Sequence, residues 1–202
     1  MAEKPILFSG PMVRAILEGR KTKTRRVVDM PPMTFDAIFN DDGVWYAGDA
    51  LTGHRYAKLP VRYRTGDRLW VRERFTIVPA TAYRMSAGVQ QTINPNDPDW
   101  AAIYAEGWDR SIPQWKPSIH MPRWASRITL VVTEVRVQRL QEIGEEDAKA
   151  EGAEMVLLME EWVGGSTEKF RRGFRKLWES IHGPGAWEAN PWVAAISFER
   201  VS

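Results

Sequence analysis

The residues with the most chemistry in the smallest space form one run, Gly19-Arg20-Lys21-Thr22-Lys23-Thr24-Arg25-Arg26. Lys21 and Thr24 are three positions apart in it. A lysine ammonium is no base near neutrality, because its reference pKa is about 10.4. Crowding by Arg20, Lys23, Arg25 and Arg26, together with burial, would favour the neutral amine. Neutral Lys21 would then take the Thr24 hydroxyl proton and make that oxygen a nucleophile. On spacing alone the run reads first as a solvated basic loop touching phosphate through Lys21, Lys23, Arg25 and Arg26, and second as a nucleophile with its base.

A carboxylate stands out further on. Residues 68–75 (RLWVRERF) alternate with period two, so Leu69, Val71, Glu73 and Phe75 share one row. An acid on an inward-facing row is costly unless it is paired, so Glu73 needs a cation. Other conspicuous groups have plainer readings. Glu145, Glu146 and Asp147 suit the positive end of a helix dipole. Arg171, Arg172, Arg175 and Lys176 read as a solvated helix face, and His120 as a packing residue at a strand entrance. Arg123-Trp124 reads as a cation–π pair or, second, as a base contact.

Composition narrows the chemistry. With no cysteine, thiol nucleophiles, disulfides and Cys-ligated metals are excluded. His54, His120 and His182 lack ligand spacing, so neither a metal nor another cofactor is expected. No apolar run reaches about 18 residues, and the apolar part of MAEKPILFSG is short for a signal peptide. The expectation is a cytoplasmic chain without a membrane partner. The net charge is +2, distributed unevenly: +5 over residues 1–76, −7 over 141–161 and +4 over the rest. A basic N-terminal part suits an anionic or nucleotide-type ligand, although the acidic stretch would neutralise a basic neighbour just as well. Ten tryptophans supply core area and candidate stacking rings.

The positioning elements follow from patterning. Residues 5–8 form a short strand, and Ser9-Gly10-Pro11 opens a helix that Gly19 closes. Residues 29–60 form an insertion with a hairpin across Asn40-Asp41-Asp42-Gly43. Residues 78–118, rich in Pro, Asn, Asp and Trp, form a second one with little regular structure besides a strand near 101–104. A β-branched strand covers 126–139, a short acidic helix 144–152, a longer helix 166–181 and a last strand 192–200. On the longer helix, Phe170, Phe174, Leu177, Trp178 and Ile181 make the apolar face. The order predicts one α+β domain over 1–202, a small, mostly antiparallel β-barrel flanked by helices and carrying two long insertions.

Four stretches, taken together and in this order, resemble the ASCH-domain proteins of the PUA-like superfamily, above all the larger prophage-encoded members. They are ILFSGPMVRAILEGRKTKTRR, GDRLWVRERF, ITLVVTEVRVQRLQEIGEEDAKAEG and NPWVAAISFERV, roughly half the chain. The resemblance implies the small barrel, a cleft on one side and nucleotide-type or nucleic-acid ligands. Small bacterial relatives are N4-acetylcytidine amidohydrolases that use a Lys and a Thr of the GRKTxT segment and a Glu of the acidic helix. Matched onto this sequence, these are Lys21, Thr24 and Glu151. The chain departs from those enzymes in its double length, and in Arg25 where they carry an apolar residue. Glu73 becomes a cleft or ion-pair residue, Arg25 and Arg26 ligand contacts, and Trp70, Trp124 or Tyr63 a stacking ring.

Three functions compete on these grounds. One is an amidohydrolase acting on an N4-acylated cytidine or a similar modified pyrimidine nucleoside. Another is a non-catalytic RNA-binding module, or an RNA-processing nuclease, of a prophage. The last is an accessory protein whose 78–118 insertion binds a protein partner. Oligomeric state is not legible in the sequence.

Overall fold

The computed structural model describes residues 3–110, 114–156 and 169–201. The protein is a mixed α+β chain in which sheet predominates. It divides into two compact units: Met1–Gly19, Asp67–Val131 and Glu199–Ser202 form the first, and Arg20–Gly66 with Val132–Phe198 the second.

In the first unit, β1 (Glu3–Leu7) lies parallel to β6 (Arg68–Arg72), in the register Glu3↔Arg68 to Leu7↔Arg72. β6 also pairs antiparallel with the start of β10 (Thr129–Arg139), Trp70 opposite Thr129. Helix α1 (Gly10–Leu17) follows an extended Ser9 and has Pro11 in its first turn, where a missing N–H costs nothing. It buries Val13, Ala15 and Ile16, and Gly19 at φ 74° ends it.

The expected single strand over 68–75 is broken at Glu73-Arg74. Its second half is β7 (Phe75–Pro79), which turns away to pair with β9 (Trp100–Tyr104), itself paired with β8 (Thr92–Ile93). Part of the 78–118 stretch is therefore a three-stranded antiparallel sheet, more regular than its composition predicts. Phe75, Ala102, Tyr104, Met121 and Ala125 form its core, with Trp124 packed against them.

In the second unit, β2 (Lys23–Val27) is antiparallel to β11 (Trp192–Arg200), with Thr24 opposite Ile196 and Arg25 opposite Ala195. β11 lies between β2 and β10. Its Val193–Ile196 are buried on both faces. The 29–60 stretch builds a separate sheet of β3 (Ala37–Asp41), β4 (Val44–Gly48) and β5 (Arg55–Lys58). The expected hairpin is present: Asp42 and Gly43, both at positive φ, make its two-residue turn. Among the described residues no strand order closes on itself.

Two helices pack on this unit. The short α2 (Glu145–Ala150) ends at Gly152, φ 78°. α3 (Lys169–His182) buries Phe174 and Trp178 against Leu140, Ile143, Ala148, Trp187 and Val193. Residues 166–168 of the expected helix lie outside the described residues. Ile181, expected on the apolar face, is 53% exposed, because the buried stripe ends one turn earlier. Arg171 and Arg172 are not part of a wholly solvated face: both are half-buried and donate to the carbonyls of Gln141 and Val156.

Candidate functional site

The exit from α1 sets the geometry. After Gly19 the chain extends, and Lys21 makes an isolated antiparallel bridge with Glu151. The Thr22 N–H donates to the Ala150 carbonyl at 2.8 Å. The end of α2 is thereby fixed on the start of β2 by backbone alone, and side chains then complete the site.

Lys21 is 2% exposed. Its ammonium donates to the Lys23 carbonyl at 2.7 Å, to the Glu151 carbonyl at 2.8 Å and to Glu151 Oε2 at 2.8 Å. Three acceptors match the three N–H bonds of a protonated amine. Arg25, 4% exposed, donates from Nη1 to Glu151 Oε1 at 2.9 Å and from Nη2 to Asp147 Oδ2 at 2.8 Å. Its Nε–H is buried and has no hydrogen-bond partner among the described residues. Asp147 also accepts from Lys23 and, at 2.9 Å, from Arg136.

Burial pulls the Lys21 ammonium below its ordinary pKa, and Glu151 offsets this only in part. The charges of Arg26 and Arg25 push Lys21 the same way as burial. Asp147 is held below the usual carboxylate range: burial works to raise it, but the hydrogen bonds from Lys23 and Arg25 prevail.

Two periodicities meet here. Lys23 and Arg25 are alternate residues of a strand and point to one side. Asp147 and Glu151 are four apart at the end of a helix and share a face. Thr24 and Arg26 fall on the opposite side of β2 by the same alternation. Thr24 is 3% exposed, and Lys21 Nζ is bonded to the carbonyl of the peptide joining Lys23 to Thr24.

Most of the other expected site residues belong to the first unit. Glu73, 2% exposed, takes a bidentate pair from Arg127, at 2.9 Å to Nε and 2.8 Å to Nη2. Burial nevertheless pushes its carboxyl up, with Arg127 a partial offset. Trp70 is buried beneath the Arg72 guanidinium, 4.5 Å from the ring centroid. Trp124 is half-buried against the Phe75–Tyr104 core. His120 is exposed, and Arg123 pairs with Glu3 at 2.9 Å. Tyr63 is a buried ring of the second unit.

Sequence reasoning did not find Asp147, Arg136, Arg127 or Tyr104. The first had a signal: an acid four residues before Glu151 faces the same way, and Lys23 with Arg25 supplies the matching pair. Glu145 sits in the first turn of α2, as the dipole reading has it, and also accepts from the backbone N–H groups of Phe170 and Arg171, at 2.6 and 3.0 Å. It thus satisfies donors at the start of α3, a role no local pattern announces.

No protein-family model matches the chain. No curated protein matches it either. Among solved structures it is similar to protein EF3133 from Enterococcus faecalis V583, described by the family model DUF984. The two share 13% identity over 100% of this chain and 80% of that one, with a TM-score of 0.37. Among the described residues, no helix is long and apolar enough to cross a membrane, and no group of three or more His, Asp or Glu is placed to hold a metal.

Proposed function

We propose that the chain is an amidohydrolase that removes the acyl group from an N4-acylated cytidine or a similar modified pyrimidine nucleoside. The reading of the fold that goes with it is an ASCH-type member of the PUA-like superfamily, whose small barrel stands here as open sheets. The observation that supports the reading most is the buried Lys21–Glu151 pair, because its two partners can exchange a proton without exposing either to water.

In the resting site Lys21 carries the proton, as its three acceptors require. Burial penalises the Lys21 ammonium, and passing its proton to Glu151 leaves a neutral amine beside a neutral acid. The Thr24 side chain lies on the far side of β2 from Arg25, so the mechanism requires its hydroxyl to turn toward Lys21 Nζ, which already holds the carbonyl of the Lys23–Thr24 peptide. The neutral amine then takes the hydroxyl proton, and Thr24 Oγ attacks the acyl carbon. The tetrahedral intermediate collapses with cleavage of the C–N4 bond, and the departing amine takes a proton from the Glu151 carboxylic acid. Glu151, ionised again, accepts a proton from water as water attacks the Thr24 ester, and returns it to Thr24 Oγ as the bond from Oγ to the acyl carbon breaks, which restores the resting state. The products are the free cytidine and a carboxylic acid. Lys21, protonated in the first half, stabilises the oxyanion in both halves. The donor-rich surroundings of Arg25, with its unpartnered Nε–H, suit a site in which negative charge develops.

Lys23 and Arg25, phosphate contacts in the RNA-binding alternative, are both tied to carboxylates here, which weighs against that reading. The test is hydrolysis of N4-acetylcytidine, followed by chromatography of released cytidine. Wild type should turn the substrate over, and Lys21→Ala and Thr24→Ala should not. Equal turnover by Thr24→Ala and wild type would remove the mechanism.

A further inference from the structure

A cavity of about 500 Å³ lies within the first unit, between α1, the 87–90 loop and the 104–110 segment. Its size suits a small-molecule site. Neither Lys21, Thr24 nor Glu151 lines it, and the amidohydrolase reading makes no use of it.

The charge of the lining limits the ligand. Arg14, Arg110 and Arg127 are balanced by Glu18, Glu106 and Asp109, and Glu73 adds a further negative charge behind Arg127. A polyanion gains no net attraction from such a wall. The wall also has a fixed hydrogen-bonding edge. Arg127 cannot swing, because Glu73 grips Nε and Nη2 and the guanidinium lies 4.1 Å from the Tyr104 ring centroid. Tyr104 stays a neutral wall, since burial pushes its hydroxyl up to about 12. Arg127 Nη1 reaches outward, and at 2.7 Å it holds the side-chain oxygen of Gln90, an exposed loop residue. Beside it stands an acceptor, Glu106, whose carbonyl is 3.4 Å from Arg127 Nη2 and whose carboxylate takes Arg14 Nε at 2.6 Å.

The geometry points to a second binding site, for an uncharged planar heterocycle that carries an amino group beside a ring nitrogen. Adenine and cytosine present such an edge. The ring nitrogen accepts from Arg127 Nη1 in place of the Gln90 carboxamide, and the amino group donates to the Glu106 carbonyl, which stands beside the same guanidinium. Gln90 is a built-in competitor: its amide oxygen occupies the donor until a ligand displaces it. The site is independent of the Lys21 chemistry and stands or falls without it.

Adenosine is the probe, with binding to the full chain followed by calorimetry or by saturation-transfer NMR. Gln90→Ala, at an exposed position, should tighten adenosine binding by about threefold to tenfold, the worth of one displaced hydrogen bond. Ala87→Trp, on the exposed part of the lining, should fill the cavity and weaken binding at least about tenfold. N6,N6-dimethyladenosine, which cannot donate to Glu106, should bind at least about tenfold more weakly than adenosine. Adenosine 5′-monophosphate should bind no tighter than adenosine. No adenosine binding at low millimolar concentration would overturn the proposal, as would unchanged affinity in Ala87→Trp or equal affinity for the dimethylated analogue.

Discussion

In the proposed mechanism Lys21 is the residue on which the chemistry turns, and its neighbours set the pH at which it can act. Burial and the charges of Arg26 and Arg25 all lower its pKa, while Glu151 opposes them. Removing one neighbouring charge must therefore raise it. Arg26→Gln should move the limb of the kcat/KM profile that reports loss of the Lys21 proton to higher pH, with little change in the plateau. An unmoved limb would mean that another group titrates there. Glu151→Gln keeps the shape of the side chain but cannot accept or return a proton. Its turnover should fall by about 10²–10⁴-fold in the steady-state hydrolysis assay, the usual weight of one acid–base group. Lys21 and Thr24 were legible as candidates because an amine and an alcohol three apart in a basic run is unusual chemistry. The acid was not legible from spacing: Glu151 is 130 positions away, and only the resemblance singled it out.

Elements bring Lys21, Arg25 and Glu151 together, and α2 is held at both ends by contacts the sequence hides. At one end Glu145 reaches the first described turn of α3. Glu145→Ala should cost about 1 kcal/mol, the usual value of a lost cap, read from the urea midpoint. α3 carries a second instructive residue. A helix-interior Gly→Ala change usually stabilises by about 1 kcal/mol. At Gly173 the sign should reverse, because an added Cβ would meet the Glu154 carbonyl oxygen at 1.8 Å. A Gly173→Ala variant as stable as wild type in thermal unfolding would show that α3 is not pressed so closely on that segment.

The long strands and α1, α2 and α3 were readable in the sequence from their periodicity and their end signals. β5 and β8 were not, for they are four and two residues long and lean on neighbours for pairing. The break at Glu73-Arg74 was equally hidden, since alternation continues unbroken across it while the hydrogen-bonding partner changes from β10 to β9.

For the whole molecule, the buried Glu73 and the half-buried Asp147 give stability opposite pH dependences. Glu73 is raised above its unfolded value, so the folded chain holds that proton more tightly. Its contribution is complete below about pH 4.5 and is lost as pH rises through the raised value. Asp147 is lowered, so its contribution is present above about pH 4 and is lost as pH falls through the lowered value. Urea midpoints measured across this range should show that Glu73→Gln loses less stability than wild type on going from about pH 4.5 upward. Parallel curves would mean that Arg127 fully compensates the buried charge. Neither effect could be foreseen from net charge, because each depends on which cation the fold delivers to which acid.

The central claim is that Thr24 carries the acyl group during turnover. Wild-type protein quenched while hydrolysing N4-acetylcytidine, then digested and weighed by mass spectrometry, tests this most directly. An acetyl group on the peptide bearing Thr24, absent from Thr24→Ala, is the predicted result. Cytidine formed at the full rate with no acyl group on that peptide at any time would contradict it.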